Sequence, residues 1–110
     1  MDEKIEAISF KLILHSGNAR SEAMKAIAAS KNGDIEKAQK MIEIAKQQLA
    51  KAQKVHASII QEEARGDDIN LSLLLMHSED HFVMGQLTID LAKELLDVYR
   101  KFERNEDNDK

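Results

Sequence analysis

Apolar residues recur every three to four positions along most of this 110-residue chain, which is the spacing of one face of an α-helix. Two short segments, 31–34 and 65–68, interrupt the pattern, and each contains a glycine followed by an aspartate. Gly33 suits the left-handed position after a helix end, and Asp34 suits the cap of the next helix. The pattern therefore predicts three helices, at about residues 3–31, 35–64 and 70–103.

Short connections make neighbouring helices antiparallel, so the sequence predicts an all-α fold, an antiparallel up-down-up three-helix bundle. Residues 1–103 form its single domain. Asp68 and Asn70 are both suited to cap the third helix, and the sequence does not choose between them. Residues 104–110 are polar, and their acids oppose the negative end of the helix dipole, so we expect this tail to fray.

The third helix has an apolar line that contains one acid. Met76, Asp80, Val83 and Leu87 follow one another at helical spacing, and the line continues to Phe102. Asp80 thus stands where a buried aliphatic side chain is expected, and burial of an unpaired carboxylate costs several kcal/mol. Such a conflict between pattern and chemistry marks the expected functional region.

Apolar residues also cover much of the rest of this helix, more than two neighbouring helices can bury. We therefore expect other copies of the chain to provide the missing cover, in a homo-oligomer with the third helix inside. The first two helices each carry one narrower stripe, and His15 and His56 on these stripes are interpreted as core or interface histidines. Gly17 and Gly85 are interpreted as sites of close helix approach.

Composition narrows the possible functions. The absence of cysteine excludes disulfides, thiol catalysis and cysteine-ligated zinc, and it suits a reducing cytoplasm. The formal net charge of -4 argues against a nucleic-acid-binding protein, which needs a basic face. The charged residues 1–4 lack the apolar core of a signal peptide, and the longest apolar run, 73–76, is too short to cross a bilayer.

The candidate chemistry is concentrated around His77. A neutral imidazole nitrogen can attack a phosphoryl group, and the resulting phosphohistidine readily passes the group on. The alternative is a hydrogen-bonded interface histidine in a non-catalytic helical oligomerisation scaffold. His81 lies one turn later, so the two rings can share an anion or, together with Asp80, hold the metal of a metal-dependent enzyme.

Asp80 itself has three interpretations. It is hydrogen-bonded to a polar partner, it is protonated, or it is shared between subunits around a cation. In a threefold assembly three copies of Asp80 would meet at the axis, where close carboxylates repel unless they are protonated or hold a cation. The residues alone leave these alternatives open.

Three separated motifs carry a resemblance to a known family. Residues 73–81, LLLMHSEDH, are similar to a Leu-Leu-x-His-Ala-Gln-Asp-His signature, and residues 15–21, HSGNARS, to a His-Ala-Gly-Asp-Ala-Arg-Ser motif. Gly33 and Asp34 ahead of the second helix, and His56 within it, complete the match. In these motifs and their order the chain resembles the lactose/cellobiose-specific enzyme IIA family of the bacterial sugar phosphotransferase system, over nearly all of residues 3–103.

The resemblance implies a homotrimer of three-helix bundles that carries phosphoryl groups. The histidine phosphocarrier protein is expected to phosphorylate His77, which then passes the group to a cysteine of enzyme IIB. His81 is expected to line the active groove and assist, and Asp80 to lie at the trimer axis, where a divalent cation such as magnesium can sit. The expected sugar is a β-linked disaccharide, cellobiose or chitobiose rather than lactose.

The chain also departs from the family pattern. Ser78 replaces an alanine, and residues 82–85, FVMG, differ from the usual Leu-Met-Thr. Glu79 stands where the family has glutamine. A carboxylate beside a phosphohistidine repels it unless the side chain points away, which argues against direct contact between residue 79 and the phosphate.

Overall fold

The computed structural model describes residues 3–108, with side chains to residue 105, and has the shape of a rod of 64 × 20 × 19 Å. Near the start of the first helix, Lys4 Nζ donates to Glu62 Oε1, near the end of the second, at 2.7 Å, so these helices are antiparallel. The all-α, up-down-up bundle predicted from the pattern is thus confirmed for one chain. Its helices are α1 (Glu3–Lys31), α2 (Ile35–Ala64) and α3 (Leu73–Asn108).

Both turns are closed by the same hydrogen-bonding motif. Gly33 has a φ of 83°, and the amide of Asp34 donates back to Ala29 O at 2.9 Å. Gly66, with a φ of 89°, has the same arrangement at the end of α2. These bonds satisfy carbonyls that a helix end leaves free, and the left-handed residue favours glycine. The side chain of Asp34 then accepts from Lys37 N at 3.4 Å, which confirms its role as the cap of α2.

The start of α3 differs from the prediction. Neither Asp68 nor Asn70 caps the helix, which begins at Leu73, because Ser72 Oγ accepts from the Leu75 amide at 3.1 Å. Serine, asparagine and aspartate are similarly good caps. Capping preference therefore did not distinguish these three residues. The position at which the chain rejoins the bundle decided which of them caps α3.

The end of α3 also differs. The helix was predicted to end at about residue 103 but continues to Asn108, and residues 109–110 lie outside the described part of the chain; the fraying of 104–110 stays a prediction. An unfavourable charge at a helix C-terminus costs only about 0.3–1 kcal/mol. Once a helix is established, each added residue gains a backbone hydrogen bond, which offsets a penalty of this size.

Small side chains dominate the centre of the bundle. Alanines meet there from all three helices, and a second cluster at the other end holds larger residues. Small residues allow helix axes to approach closely, and α1 packs extensively against both of the other helices. The first cluster includes Ala19, Ala23, Ala26, Ala38, Ala45, Ile89, Ala92 and Leu96, and the second includes Ile5, Leu12, Ile59, Leu75 and Phe82.

The face of α3 that packs inside the bundle is not the face expected from the sequence. Its buried line runs through Leu75, Phe82, Ile89 and Leu96, whereas Asp80 and the apolar line predicted for the core are exposed in a single chain, apart from the half-buried Leu95. Both lines have helical spacing, so periodicity did not show which of them faces α1 and α2. We call the exposed line the outer face of α3; it comprises Met76, Asp80, Val83, Leu87, Leu91, Val98 and Phe102.

The two helical glycines behave differently. A Cβ atom at Gly85 would lie 3.1 Å from Ser16 O, a backbone atom of α1, and 3.6 Å from Leu49 Cδ1. A Cβ atom at Gly17 would meet nothing within 4 Å. The prediction of close helix approach is therefore confirmed for Gly85 and wrong for Gly17 within one chain.

Alanine substitution should separate these two positions. Gly85→Ala is expected to lower the free energy of unfolding by about 1 kcal/mol, because overpacking against a backbone carbonyl outweighs the better helix propensity of alanine. Gly17→Ala, the matched control, is expected to raise it by about 0.5–1 kcal/mol. Urea unfolding at one protein concentration measures both variants, and a Gly85→Ala protein as stable as Gly17→Ala would contradict the close approach.

Candidate phosphoryl-transfer site

His77 and His81 lie in contact on α3. Their Nε2 atoms are 3.0 Å apart, and the ring planes meet at 86° with centroids 4.5 Å apart. His77 is exposed and His81 is half-buried. The rings therefore face each other as their one-turn spacing predicted, and His77 is the more accessible of the two.

The contact assigns complementary roles to the two nitrogen atoms. A hydrogen bond between two Nε2 atoms needs one proton, so one ring donates and the other accepts. The accepting nitrogen has a lone pair, which is what a nucleophile requires. The donating nitrogen offers an N–H group that can stabilise negative charge on a reacting group. A nitrogen with a lone pair and an N–H donor thus stand side by side.

Asp80 is not part of this pair. It is exposed on the outer face of α3, so the expectation that it is buried is wrong within one chain. Over residues 3–108, no group of three or more histidine, aspartate or glutamate side chains is placed to hold a metal ion. The site that a metal-dependent enzyme would need, built from His77, Asp80 and His81 together, is therefore not assembled by a single chain.

Glu79 lies on the α2 side of α3. Its Oε2 atom is 2.6 Å from His56 Nδ1, and both side chains are half-buried. The His56 ring also stacks on Phe82, with centroids 4.8 Å apart and planes inclined by 23°. The sequence alone did not predict this pair, although Glu79 shares a helical line with the buried residues Leu75 and Phe82.

An open groove of about 390 Å³ lies beside this pair, between the end of α2 and the start of α3. Its walls are mainly apolar, and its acids are Glu63, Glu79 and Asp80. His77 is not among the residues that line it. His81 does not line it either, so this is not the active groove that the resemblance implies.

His15 is half-buried on α1, in keeping with its interpretation as a core or interface residue. Its Nδ1 atom is buried without a hydrogen-bond partner among the described residues. As to membranes, none of the three helices, as far as the structure describes them, combines the length and the hydropathy that a membrane-spanning segment needs.

Comparisons with known proteins match the whole bundle. The sequence model of the family described as "PTS system, Lactose/Cellobiose specific IIA subunit" matches residues 7–100. The lichenan-specific phosphotransferase enzyme IIA component of Bacillus subtilis (strain 168) is 43% identical over 101 residues, which are 92% of each chain.

Solved structures agree in fold and in sequence. The crystal structure of the cellobiose-specific enzyme IIA from Bacillus anthracis has a TM-score of 0.91 at 39% identity and covers 94% of this chain and 95% of that one. A solution structure of the IIA(Chitobiose)–HPr complex of the Escherichia coli phosphotransferase system has a TM-score of 0.78 at 30% identity, with 90% and 96% covered. With the family model spanning most of its length, the chain belongs to the lactose/cellobiose-specific enzyme IIA family of the sugar phosphotransferase system, whose members are phosphotransferase components that carry phosphoryl groups.

Proposed function

We propose that this protein is the enzyme IIA phosphocarrier of a transport system for a β-linked disaccharide. His77 accepts a phosphoryl group from the histidine phosphocarrier protein and passes it to a cysteine of enzyme IIB. The observation that carries the proposal is the contact between the exposed His77 and His81, 3.0 Å between Nε2 atoms, within the segment that resembles the family signature.

The two transfers are simple displacements at phosphorus. In the first, a ring nitrogen of His77 attacks the phosphorylated carrier, a P–N bond to His77 forms, and the carrier's nitrogen keeps the electron pair of the bond that breaks. In the second, the thiolate of enzyme IIB attacks the same phosphorus atom, a P–S bond forms, and the electron pair returns to the His77 nitrogen. His77 thus ends each cycle unchanged.

His81 assists these transfers from the adjacent turn. When its Nε2 atom carries the proton of the contact, His77 Nε2 is unprotonated, and its lone pair accepts that hydrogen bond until the phosphoryl group arrives. The same N–H group can then donate to an oxygen of the arriving phosphoryl group. Phosphoryl transfer depends mostly on positioning and on stabilising charge, and a donor already in place meets both needs.

Protein partners can dock on the apolar residues that flank the histidines. Leu73 and Met84 continue the line of His77 and His81, and they are 83% and 41% exposed. An apolar patch around reactive groups is suited to a protein partner. The structural likeness to an IIA(Chitobiose)–HPr complex supports the histidine phosphocarrier protein as the first partner, and enzyme IIB is the second.

The protein is proposed to act as a homotrimer with α3 inside. Six apolar side chains on the outer face of α3 are between 46% and 61% exposed in one chain. A continuous apolar line of this length on a single helix marks an interaction surface. Three copies packed through this face would bury it and would bring residues of different chains around each His77.

Asp80 is proposed to hold a divalent cation such as magnesium at the trimer axis. Its carboxylate is exposed on the outer face of α3, between Met76 and Val83, and among residues 3–108 a single chain brings no three histidine, aspartate or glutamate side chains together around an ion. Carboxylate oxygens from three copies suit a hard cation, and the cation removes their mutual repulsion. Asp80 therefore fits such an ion only when the copies come together.

Isothermal titration with magnesium tests this role of Asp80. Asp80→Leu is expected to abolish binding, because it removes the carboxylates, whereas His81→Ala is expected to leave binding unchanged. Loss of binding in His81→Ala instead would favour a site built from the histidines. Magnesium bound equally well by Asp80→Leu would overturn the axial site.

The phosphocarrier function is tested by reconstitution. Incubation with phosphoenolpyruvate, enzyme I and the histidine phosphocarrier protein is expected to label His77, and addition of enzyme IIB is expected to discharge the label. Mass spectrometry under alkaline conditions, where phosphohistidine survives, locates the group. A folded protein that takes up no label would favour the non-catalytic scaffold.

The sugar and the compartment complete the proposal. Cellobiose or chitobiose is preferred to lactose, in agreement with the names of the two solved relatives. We place the protein in the cytoplasm, to which the absence of cysteine is suited. Growth of a deletion strain on each disaccharide tests the sugar, and normal growth on cellobiose and chitobiose with loss of growth on lactose would overturn the choice.

A further inference from the structure

His56 and Glu79 join α2 to α3 close to the proposed phosphorylation site. His56 Nδ1 and Glu79 Oε2 are 2.6 Å apart, with 27% and 29% of the two side chains exposed. An ionised carboxylate can only accept hydrogen bonds. Nδ1 of His56 therefore carries the proton and donates a hydrogen bond to Glu79. Stacking on Phe82 supports the His56 ring from a second direction.

Glu79 is near enough to affect a phosphoryl group on His77. The two residues are two positions apart on α3, so their side chains point to roughly opposite sides of the helix. Their charged groups are then about 10 Å apart, the width of a helix with its side chains. This separation slightly exceeds the Debye length of about 8 Å at physiological salt, so an uncompensated carboxylate repels a phosphoryl dianion weakly there and more strongly at low salt.

His56 is the basic partner in otherwise acidic surroundings. Glu63, Glu79 and Asp80 line the groove beside it, and within the described part of the chain that lining contains no lysine or arginine. The family signature has a neutral glutamine where this chain has Glu79. The charged residue therefore occurs here together with an imidazole N–H at hydrogen-bond distance.

We infer that His56 is a positioning residue that holds Glu79 against α2 and offsets its charge, so that His77 can accept a dianionic phosphoryl group. The inference rests on the proposed function of His77. Without His56, the Glu79 side chain is free to turn towards solvent with its full charge. With it, the carboxylate is turned away, and the N–H dipole partly offsets its charge.

The test is a rescue experiment on the rate at which the phosphorylated carrier labels His77. At low ionic strength, His56→Ala is expected to lower this rate by up to about four- to sixteen-fold, the factor for unscreened repulsion of one charge by two at about 10 Å with a dielectric constant of about 80 to 40. Glu79→Gln alone is expected to react at the wild-type rate. The double variant His56→Ala/Glu79→Gln is expected to recover to within about twofold of wild type.

Two further measurements separate charge from packing. High salt is expected to narrow the difference between His56→Ala and the double variant, because it screens the carboxylate. His56→Phe keeps an aromatic ring against Phe82 but removes the N–H donor. This variant takes the place of His56→Ala if circular dichroism shows that His56→Ala is unfolded. In the His56→Phe variant, Glu79→Gln is again expected to restore the rate at which His77 is labelled.

The outcomes distinguish this inference from the function on which it rests. A wild-type protein that takes no label overturns both. A labelled wild type together with an unaffected His56→Ala overturns the inference alone. So does a slow, folded His56 variant that Glu79→Gln does not rescue, because such a defect belongs to packing and not to charge.

Discussion

Replacement of His77 by glutamine is expected to remove phosphoryl acceptance, lowering the rate of labelling by a factor on the order of 10³ or more. Glutamine has a similar size and polarity but no ring nitrogen with an available lone pair. Because His77 is exposed, the substitution leaves the core intact, and the fold is expected to be unchanged. Transfer of labelled phosphate from the carrier, followed on gels, measures the rate.

His81→Ala is the matched control for this experiment. It removes the donor that lies 3.0 Å from His77 Nε2 but keeps the nucleophile. We expect it to accept phosphate about 10²-fold more slowly, the size of effect that follows loss of one charge-stabilising donor. Normal labelling of His77→Gln, or a phosphoryl group found on His81 in the wild-type protein, would show that the wrong ring has been assigned.

Replacement of Leu87 by lysine is expected to dissociate the proposed trimer into monomers. Leu87 is 56% exposed in one chain and lies in the middle of the outer face of α3, so the single bundle tolerates the change. At a threefold interface, three ammonium groups would meet in apolar surroundings, at a cost of several kcal/mol each. Sedimentation velocity at micromolar concentration measures the mass.

Asp80→Leu is the matched control on the same helix face, two turns earlier. It replaces an acid with an apolar residue and removes like-charge repulsion, so the trimer is expected to persist or tighten. Dissociation of Asp80→Leu would contradict the axial position of the acid. A wild-type protein that sediments as a monomer, or an unchanged trimer in Leu87→Lys, would contradict an interface on the outer face of α3.

The local sequence was sufficient for much of the fold. Gly33 and Asp34 are adjacent residues with opposite preferences, one for leaving a helix and one for beginning the next, and the end of α1 and the start of α2 follow from them. The contact between His77 and His81 was predictable in the same way, because residues one turn apart on a helix are neighbours wherever that helix lies.

The orientation of α3 was not predictable from its own residues. It carries two apolar lines, and helical spacing ranks them equally. The line that contains Gly85 packs inside the bundle, because glycine lets α3 approach the backbone of α1. The line with Asp80 remains outside, so the conflict that drew attention to this acid concerns a surface and not the core of the bundle.

The sequence by itself determined three helices, their first four boundaries, and a histidine pair within a recognisable signature, because these depend on residues at most a few positions apart. Only the tertiary structure decided which face of α3 is buried, that Ser72 caps it, and that His56 meets Glu79 across 23 residues. These features depend on how far each helix is rotated and shifted against its neighbours. Side-chain volumes on all three helices together set that rotation and shift, and no single segment contains the information.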